Sequence, residues 1–219
     1  MDLKDGVKAK FFFTMLRLCE CQQEKLLVFS HYLLPLRFLG QLAVHFKGWI
    51  HDKQIFTITG ESTTEHLEWS REQFNTSPAA RVFFGSIKAC GEGISLIGAS
   101  RILILDVHPN PSVSWQAICW AFRPGQKKKV YTYRLVAADS LEEDGHLTCF
   151  RKALIAKMWF EWNEFSGQKE FDCEPVDLED CSDSFLQSPA LANDVKALFQ
   201  RFVIFAGFSV ILSDQTKMP

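Results

Sequence analysis

The chain has 219 residues, 47% of them hydrophobic, with 24 Lys and Arg against 26 Asp and Glu for a net charge of −2; that length and apolar content suffice for one substantial core with appendages. The charge balance excludes a polybasic coat, so any contact with nucleic acid must be local, made by a few cations. Cys19, Cys21, Cys90, Cys119, Cys149, Cys173 and Cys181 form an odd set without CxxC spacing or a secretory signal before them, which points to reduced intracellular thiols.

From Gly6 to Cys21, Val7, Phe11, Phe12, Met15, Leu16 and Leu18 recur at helical spacing among polar residues and predict an amphipathic helix. Lys25 to Ser30 is a short continuous apolar run, the pattern of a strand buried on both faces of a parallel sheet. His31 to Phe46 returns to helical spacing, with Leu34, Phe38, Leu42 and Phe46 four residues apart and therefore expected on one face. Ile55 to Ile58 reads as a second strand ended by Gly60, and Ser62 to Asn75 as a helix with Ser62 and Glu65 spaced as a capping box.

Strands are next expected at Ala80 to Ser86 and Arg101 to Asp106. Between them Gly91 and Gly93 break regular structure before a short helical turn. A last strand, Val130 to Leu135, follows Lys127, Lys128 and Lys129. Strands alternating with helical segments indicate a mainly parallel sheet covered on both faces. The order is that of one RecA-like three-layer α/β lobe, and the pattern alone also permits a Rossmann-type arrangement. Glu142 to Phe165 reads as a long helix with an aromatic end, residues 167–189 as acidic and irregular, and Leu191 to Phe205 as helix again. The organisation expected is a lobe over residues 6–139, a helical and acidic extension over 140–201 and a tail over 202–219. Trp159, Phe160, Trp162 and Phe165 are too costly to leave in water, so the extension should pack back on the lobe. The apolar run Phe202 to Leu212 falls short of the roughly 20 residues of a spanning helix, so no membrane role is expected.

The stretch with most chemistry runs from Ser86 to Gln126. Gly91 and Gly93 permit close backbone approach, and exposed N–H groups beside a helix start can bind phosphate; alone, that Gly-x-Gly fits a tight ligand-free turn as well. Gln116-Ala117-Ile118-Cys119-Trp120-Ala121-Phe122-Arg123-Pro124-Gly125-Gln126 follows the LILD strand, and Arg123 carries the planar fork that matches phosphate. Lys127 to Lys129 suits a DNA phosphate contact and a solvated edge turn equally. The six histidines show no grouping at metal-ligand spacing, and Glu143-Asp144 reads as a solvated acidic helix start.

In these motifs residues 6–200 resemble the second helicase lobe of Swi/Snf-type remodelling ATPases. KLLVFSHYLLPLRFL, VFFGSIKACGEGISLIGASRILILDVHPNPS and KMWFEWNEF are similar to the CLASSY group of plant proteins of RNA-directed DNA methylation. The resemblance implies a nuclear protein acting on double-stranded DNA or chromatin in gene silencing, with the RNA polymerase of the small interfering RNA pathway as a partner. It implies Arg123 as arginine finger beside Gln116. Gly91, Glu92 and Gly93 match the motif facing nucleotide and DNA, and Ser30, His31 and Tyr32 the loop after the first strand; Lys127 and Lys128 are the candidates in the lysine run for facing nucleotide or DNA. Cys119-Trp120 departs from the family's Gly-Arg, which removes one expected guanidinium. No Gly-x-x-x-x-Gly-Lys-[Ser/Thr] occurs in the chain, so ATP and Mg are expected only in combination with a first lobe, in cis or in trans. Two readings stay open: a motor component that needs that lobe, and a catalytically silent scaffold that recruits silencing partners. A dinucleotide-binding domain is the weaker third, because a complete Gly-x-Gly-x-x-Gly is missing.

Overall fold

Alternating residues of each strand face opposite ways, and in this chain both directions are apolar, which builds two cores on one sheet. The computed structural model describes residues 6–87, 94–160, 175–177, 179, 181, 183–192, 195 and 198–199. Five parallel strands, β1 (Leu26–Ser30), β2 (Ile55–Ile58), β3 (Val82–Ser86), β4 (Arg101–Ile104) and β5 (Tyr131–Arg134), lie in the order β2-β3-β1-β4-β5. Leu26 and Val28 of β1 join Val82, Phe84, Leu103 and Tyr133 in one core, capped by Phe12, Met15 and Leu16 of α1 (Val7–Gln22) and Leu36, Leu39 and Ala43 of α2 (Leu33–Lys47). Leu27 and Phe29 point the other way, with Phe56, Phe83, Ile102 and Ile104. They are covered by Phe74 of α3 (Thr64–Thr76) and Ala117, Ile118 and Trp120 of α4 (Pro111–Ala121). Each such fully buried side chain contributes about 1.5–3 kcal/mol. The three-layer α/β lobe is therefore the observed fold.

α5 (Leu141–Phe160) packs beside α4, with Glu143 and Asp144 exposed in its first turn. Residues 161–165 of the expected helix and the side chains of Trp159 and Phe160 lie outside the described residues, as does the tail 202–219. Further on, Cys181, Phe185, Leu186 and Leu191 are buried in the α1 core. A buried ionic knot holds this segment: Arg101 donates through Nε to Glu24 at 2.8 Å and through Nη1 to Asp183 at 2.6 Å and to the Tyr133 hydroxyl, which donates to the other Asp183 oxygen at 2.5 Å. The guanidinium is sandwiched between the Tyr131 and Phe185 rings, 3.9 and 3.7 Å from their centroids.

Three sequence expectations need correction. α3 is capped by Thr63, whose Oγ1 accepts the His66 N–H at 3.2 Å, while Ser62 Oγ accepts from Thr59; the cap fell one residue later because the hydroxyl of residue 62 is engaged in closing the turn after β2. Leu34, Phe38, Leu42 and Phe46 do not form a common buried face: Leu42 is buried, but Leu34 is 78%, Phe38 39% and Phe46 45% exposed. The inward arc is Leu36, Leu39, Gly40, Leu42 and Ala43, to which only Leu42 of those four belongs. Finally, of the helix expected from Leu191 to Phe205, residues 193–194, 196–197 and 200–205 lie outside the described residues, 191–192 end α6 (Pro189–Ala192), and 198–199 form not helix but β7 (Leu198–Phe199), antiparallel to β6 (Pro175–Val176). Pairing with 175–176 satisfies that backbone, where helical spacing alone could not foresee a distant partner.

Candidate functional site

Chain leaves β1 through α2 toward β2 on one side and leaves β4 through α4 toward β5 on the other. The C-terminal ends of β1 and β4 thus flank the reversal of strand order, the crevice in which open α/β sheets hold ligands. The parallel register pairs Phe29 with Ile104, which sets Ser30 to Tyr32 against Leu105 to His108. There the His31 N–H donates to both Asp106 carboxylate oxygens, at 2.9 and 3.2 Å, and the His31 and His108 rings lie 4.1 Å apart at 37°. Burial pushes the Asp106 carboxyl above the usual carboxylate range, an effect opposed by the His31 N–H it accepts. Ser30 is fully buried and its Oγ accepts the Tyr32 N–H at 3.0 Å, whereas Tyr32 itself is 66% exposed. Ser30 thus shapes the loop from within, and His31 and Tyr32 form its surface.

Asn110 and Pro111 start α4. The Asn110 Oδ1 accepts the Ser112 N–H at 3.1 Å and Pro111 occupies the first turn, where its missing N–H costs nothing. Asn followed by Pro is a pattern that favours such a start. Gln116 is half-buried on α4 and Arg123 half-buried just past its end, the Arg123 Nε donating to the Cys119 carbonyl at 3.2 Å. Trp120, at the position of the expected arginine, is turned inward: 1% exposed, its ring centroid is 4.9 Å from that of Phe29, and its carbonyl accepts the Leu96 N–H at 2.7 Å. The indole is core, so this position presents nothing to the crevice.

Gly91, Glu92 and Gly93 lie outside the described residues, but the segment after them is clamped from two sides. Asn75, in the last turn of α3, donates from Nδ2 to Ser95 O and accepts the Gly98 N–H on Oδ1, both at 2.9 Å. A Cβ on Gly98 would stand 2.8 Å from the Asn75 Cα, so only glycine permits this approach. From the other side the Gln126 amide donates to the carbonyls of Ala99, Ile97 and Ala121 at 2.8, 3.1 and 3.2 Å, and its Oε1 accepts the Lys128 N–H. Gln126 therefore ties the loop that follows the glycines to the end of the arginine-bearing helix and to the lysine turn. Sequence reading passed over it as the last letter of a motif; two of the three carbonyls it serves, those of Ile97 and Ala99, are distant in the chain and carry no sequence mark. Lys127 and Lys128 are exposed on that turn. Lys8 adds a second non-local tie, donating to Leu105 O at 2.7 Å and to both Glu142 oxygens at 2.6 and 2.7 Å.

On α5, His146 is 6% exposed, with neither ring nitrogen hydrogen-bonded among the described residues, beside buried Arg134 and Cys149. Burial and the neighbouring Arg134 charge lower the His146 pKa to about 4. Among the described residues no group of three or more His, Cys, Asp or Glu is placed to hold a metal ion, and no helix is long and apolar enough to cross a membrane.

A family model for the helicase conserved C-terminal domain matches residues 8–125. The chain is 33% identical to the SNF2 domain-containing protein CLASSY 3 of Arabidopsis thaliana across 97% of its own length, and 38% identical to CLASSY 2 of the same plant across 73%. It spans only 15% and 13% of those two relatives. Among solved structures, the C-terminal part of the Fun30 ATPase domain superposes with a TM-score of 0.59 at 28% identity, covering 65% of this chain and 45% of that one.

Proposed function

The chain belongs to the helicase conserved C-terminal domain family, as a second helicase lobe of the SNF2 type, and from that premise we propose that it serves a chromatin-directed SNF2-like protein. Its part is to close over ATP held by a first lobe and so drive movement along duplex DNA. One observation supports this reading: Gln126, bonded to the Ile97 and Ala99 carbonyls, fixes the end of α4 with Arg123 and the turn with Lys127 and Lys128 together at the edge where β4 and β5 begin, the opposite edge from the His31–Asp106 pair. Arg123 would exchange its carbonyl partner for phosphate oxygens, the stronger acceptors for a guanidinium, and in motor ATPases such a residue stabilises charge on the transferring phosphoryl group.

ATP and Mg fit this edge only in part. The chain offers Arg123 and a clamped loop but encodes no lysine-bearing glycine loop, so a first lobe must hold the triphosphate and the metal. The finer reading, supported by the likeness to the CLASSY proteins, is a role in RNA-directed DNA methylation and small interfering RNA-dependent silencing in the nucleus, with the RNA polymerase of that pathway as partner. The buried Trp120 favours a second reading, a silent scaffold that keeps the lobe and has given one arginine position to the core.

Anisotropy of a short labelled duplex, measured with the first lobe of an SNF2 relative in the presence and absence of this chain, tests the proposal. Added chain is expected to tighten binding in a salt-sensitive way, and Lys127→Ala/Lys128→Ala to undo several-fold of that gain. Affinity unchanged by the chain would contradict it.

A further inference from the structure

Residues 94–100 lead toward β4 without helix or strand, so their backbone polar groups must look for partners elsewhere in the fold. Ile94, Leu96 and Ala99 are buried in the core beneath α3 and α4. Three residues serve the backbone of this segment. The Leu96 N–H donates to the Trp120 carbonyl at 2.7 Å, Gln126 donates to the Ile97 and Ala99 carbonyls at 3.1 and 2.8 Å, and the Asn75 amide takes both Ser95 O and the Gly98 N–H at 2.9 Å.

Two of those three belong to the end of α4, where Arg123 stands. Arg123 to Gln126 is a tight turn: Pro124 presets its own φ, Gly125 takes a φ of +100°, and the Gln126 N–H donates back to the Arg123 carbonyl at 3.0 Å. The turn rests on the segment, since a Cβ on Gly125 would stand 3.3 Å from Ile97 Cδ1. Residues 96–99 thus fix the backbone of Arg123. Asn75 comes from a different layer element, the last turn of α3, and both bonds of its side-chain amide go to the segment. Lys25, just before the central strand β1, holds that turn in place, its Nζ donating to the carbonyls of Phe74, Asn75 and Ser77. A continuous path of hydrogen bonds therefore runs from the start of β1 through Lys25, Asn75 and the segment to the turn of Arg123.

We propose that Asn75 is a positioning residue for Arg123: by fixing Ser95 and Gly98 it sets where the guanidinium is presented to the triphosphate that a first lobe holds. This role rests on the motor reading above, and Asn75 lies outside the arginine-bearing motif. Without the amide, Phe74, Ala117 and Ile118 still bury their side chains, so α3 and α4 stay in place, but the segment between them is freed on one side. Arg123 is then presented less accurately, and a misplacement on the order of 1 Å is enough to cost about 10²-fold in rate.

Two variants test it: Asn75→Leu, which keeps the volume and favours helix, and Asn75→Asp, which keeps the acceptor for Gly98 but cannot donate to Ser95. Backbone amide exchange of the whole chain is followed by NMR, and ATP hydrolysis with duplex DNA and the first lobe of an SNF2 relative is measured beside it. The Gln126 backbone amide, which closes the Arg123 turn, is expected to exchange at least about tenfold faster in both variants, with the β1 amides as slow as in wild type. In the mixture, kcat of the chain-dependent turnover is expected to fall about tenfold or more at an unchanged KM for ATP, which the first lobe binds. An unchanged Gln126 amide, or a KM that rises in place of a kcat that falls, would overturn the proposal. So would faster exchange throughout β1 in both variants, since the amide would then serve the stability of the lobe as a whole. Wild-type chain that adds no turnover to the first lobe would overturn the motor reading and this role with it, whereas a wild-type gain that both Asn75 variants leave whole would overturn this role alone.

Discussion

Trp120→Arg is expected to destabilise the lobe and not to restore a catalytic arginine. The side chain is 1% exposed and packed on Phe29, so the substitution removes a large core group and buries an uncompensated guanidinium, at a cost on the order of 4 kcal/mol. Thermal unfolding should show a drop of about 10 °C, with Trp120→Phe losing much less; an unchanged melting temperature for the arginine variant would contradict the burial. His146 makes the second residue-scale test. Its pKa lies at about 4 in the fold, below its ordinary value of about 6.5 when unfolded. The unfolded chain therefore takes up a proton first as pH falls. Its contribution to stability is whole above about 6.5, is lost progressively down to about 4, and changes no further below that. His146→Leu should remove that slope, up to about 3 kcal/mol, and leave stability at pH 7 equal or higher, because neither ring nitrogen gives up a hydrogen bond. Denaturant melts of both proteins between pH 7 and pH 4 would show it. At this scale the departure at Trp120 was visible in the sequence as a letter. Its turn into the core was not visible, because whether an indole faces a crevice or Phe29 depends on how α4 sits on β1.

Strands β1 to β5 were legible because each is a short apolar run between turn residues, and a strand buried on both faces needs no finer pattern. Helix faces were less so. Of the four residues so spaced in α2 only Leu42 is buried, and the sheet beneath the helix, not the spacing, selects which arc is core. The Ser62 and Thr63 hydroxyls compete for two adjacent tasks, closing the turn and capping the helix, and spacing cannot rank them. The Arg101 knot had no sequence signal, since its partners Glu24, Tyr133 and Asp183 are scattered along the chain and meet only in three dimensions. It also makes the segment around Asp183 integral to the lobe. Asp183→Ala should cost about 3–5 kcal/mol, because it leaves the buried Arg101 without one of its carboxylates, and the loss should appear as a shifted midpoint of the whole unfolding transition. An unchanged midpoint would mean that this segment is an ornament. Gly98→Ala should be destabilising as well, since its Cβ has only the Asn75 backbone to push against.

Across the whole molecule, the His31–Asp106 pair lies where β1 and β4 end and Arg123 with the lysine turn lies where β4 and β5 begin, the ionic knot holds the extension to α1, and Leu34 and Phe38 stand exposed on the outer side of α2. That division could be anticipated from the order of strands and helices, since a helix that follows a strand in a parallel sheet returns the chain to the opposite edge. The α2 surface could not be, because exposure is a property of the assembled fold. The most direct measurement is steady-state ATP hydrolysis with and without duplex DNA, for this chain alone, for the first lobe of an SNF2 relative alone, and for the two together with wild-type or Arg123→Ala chain. The account predicts no turnover from this chain alone, duplex-stimulated turnover above that of the first lobe when the two are mixed, and loss of about 10³-fold of the gain in Arg123→Ala. Turnover by this chain alone, or a mixture indifferent to both the chain and Arg123, would contradict it.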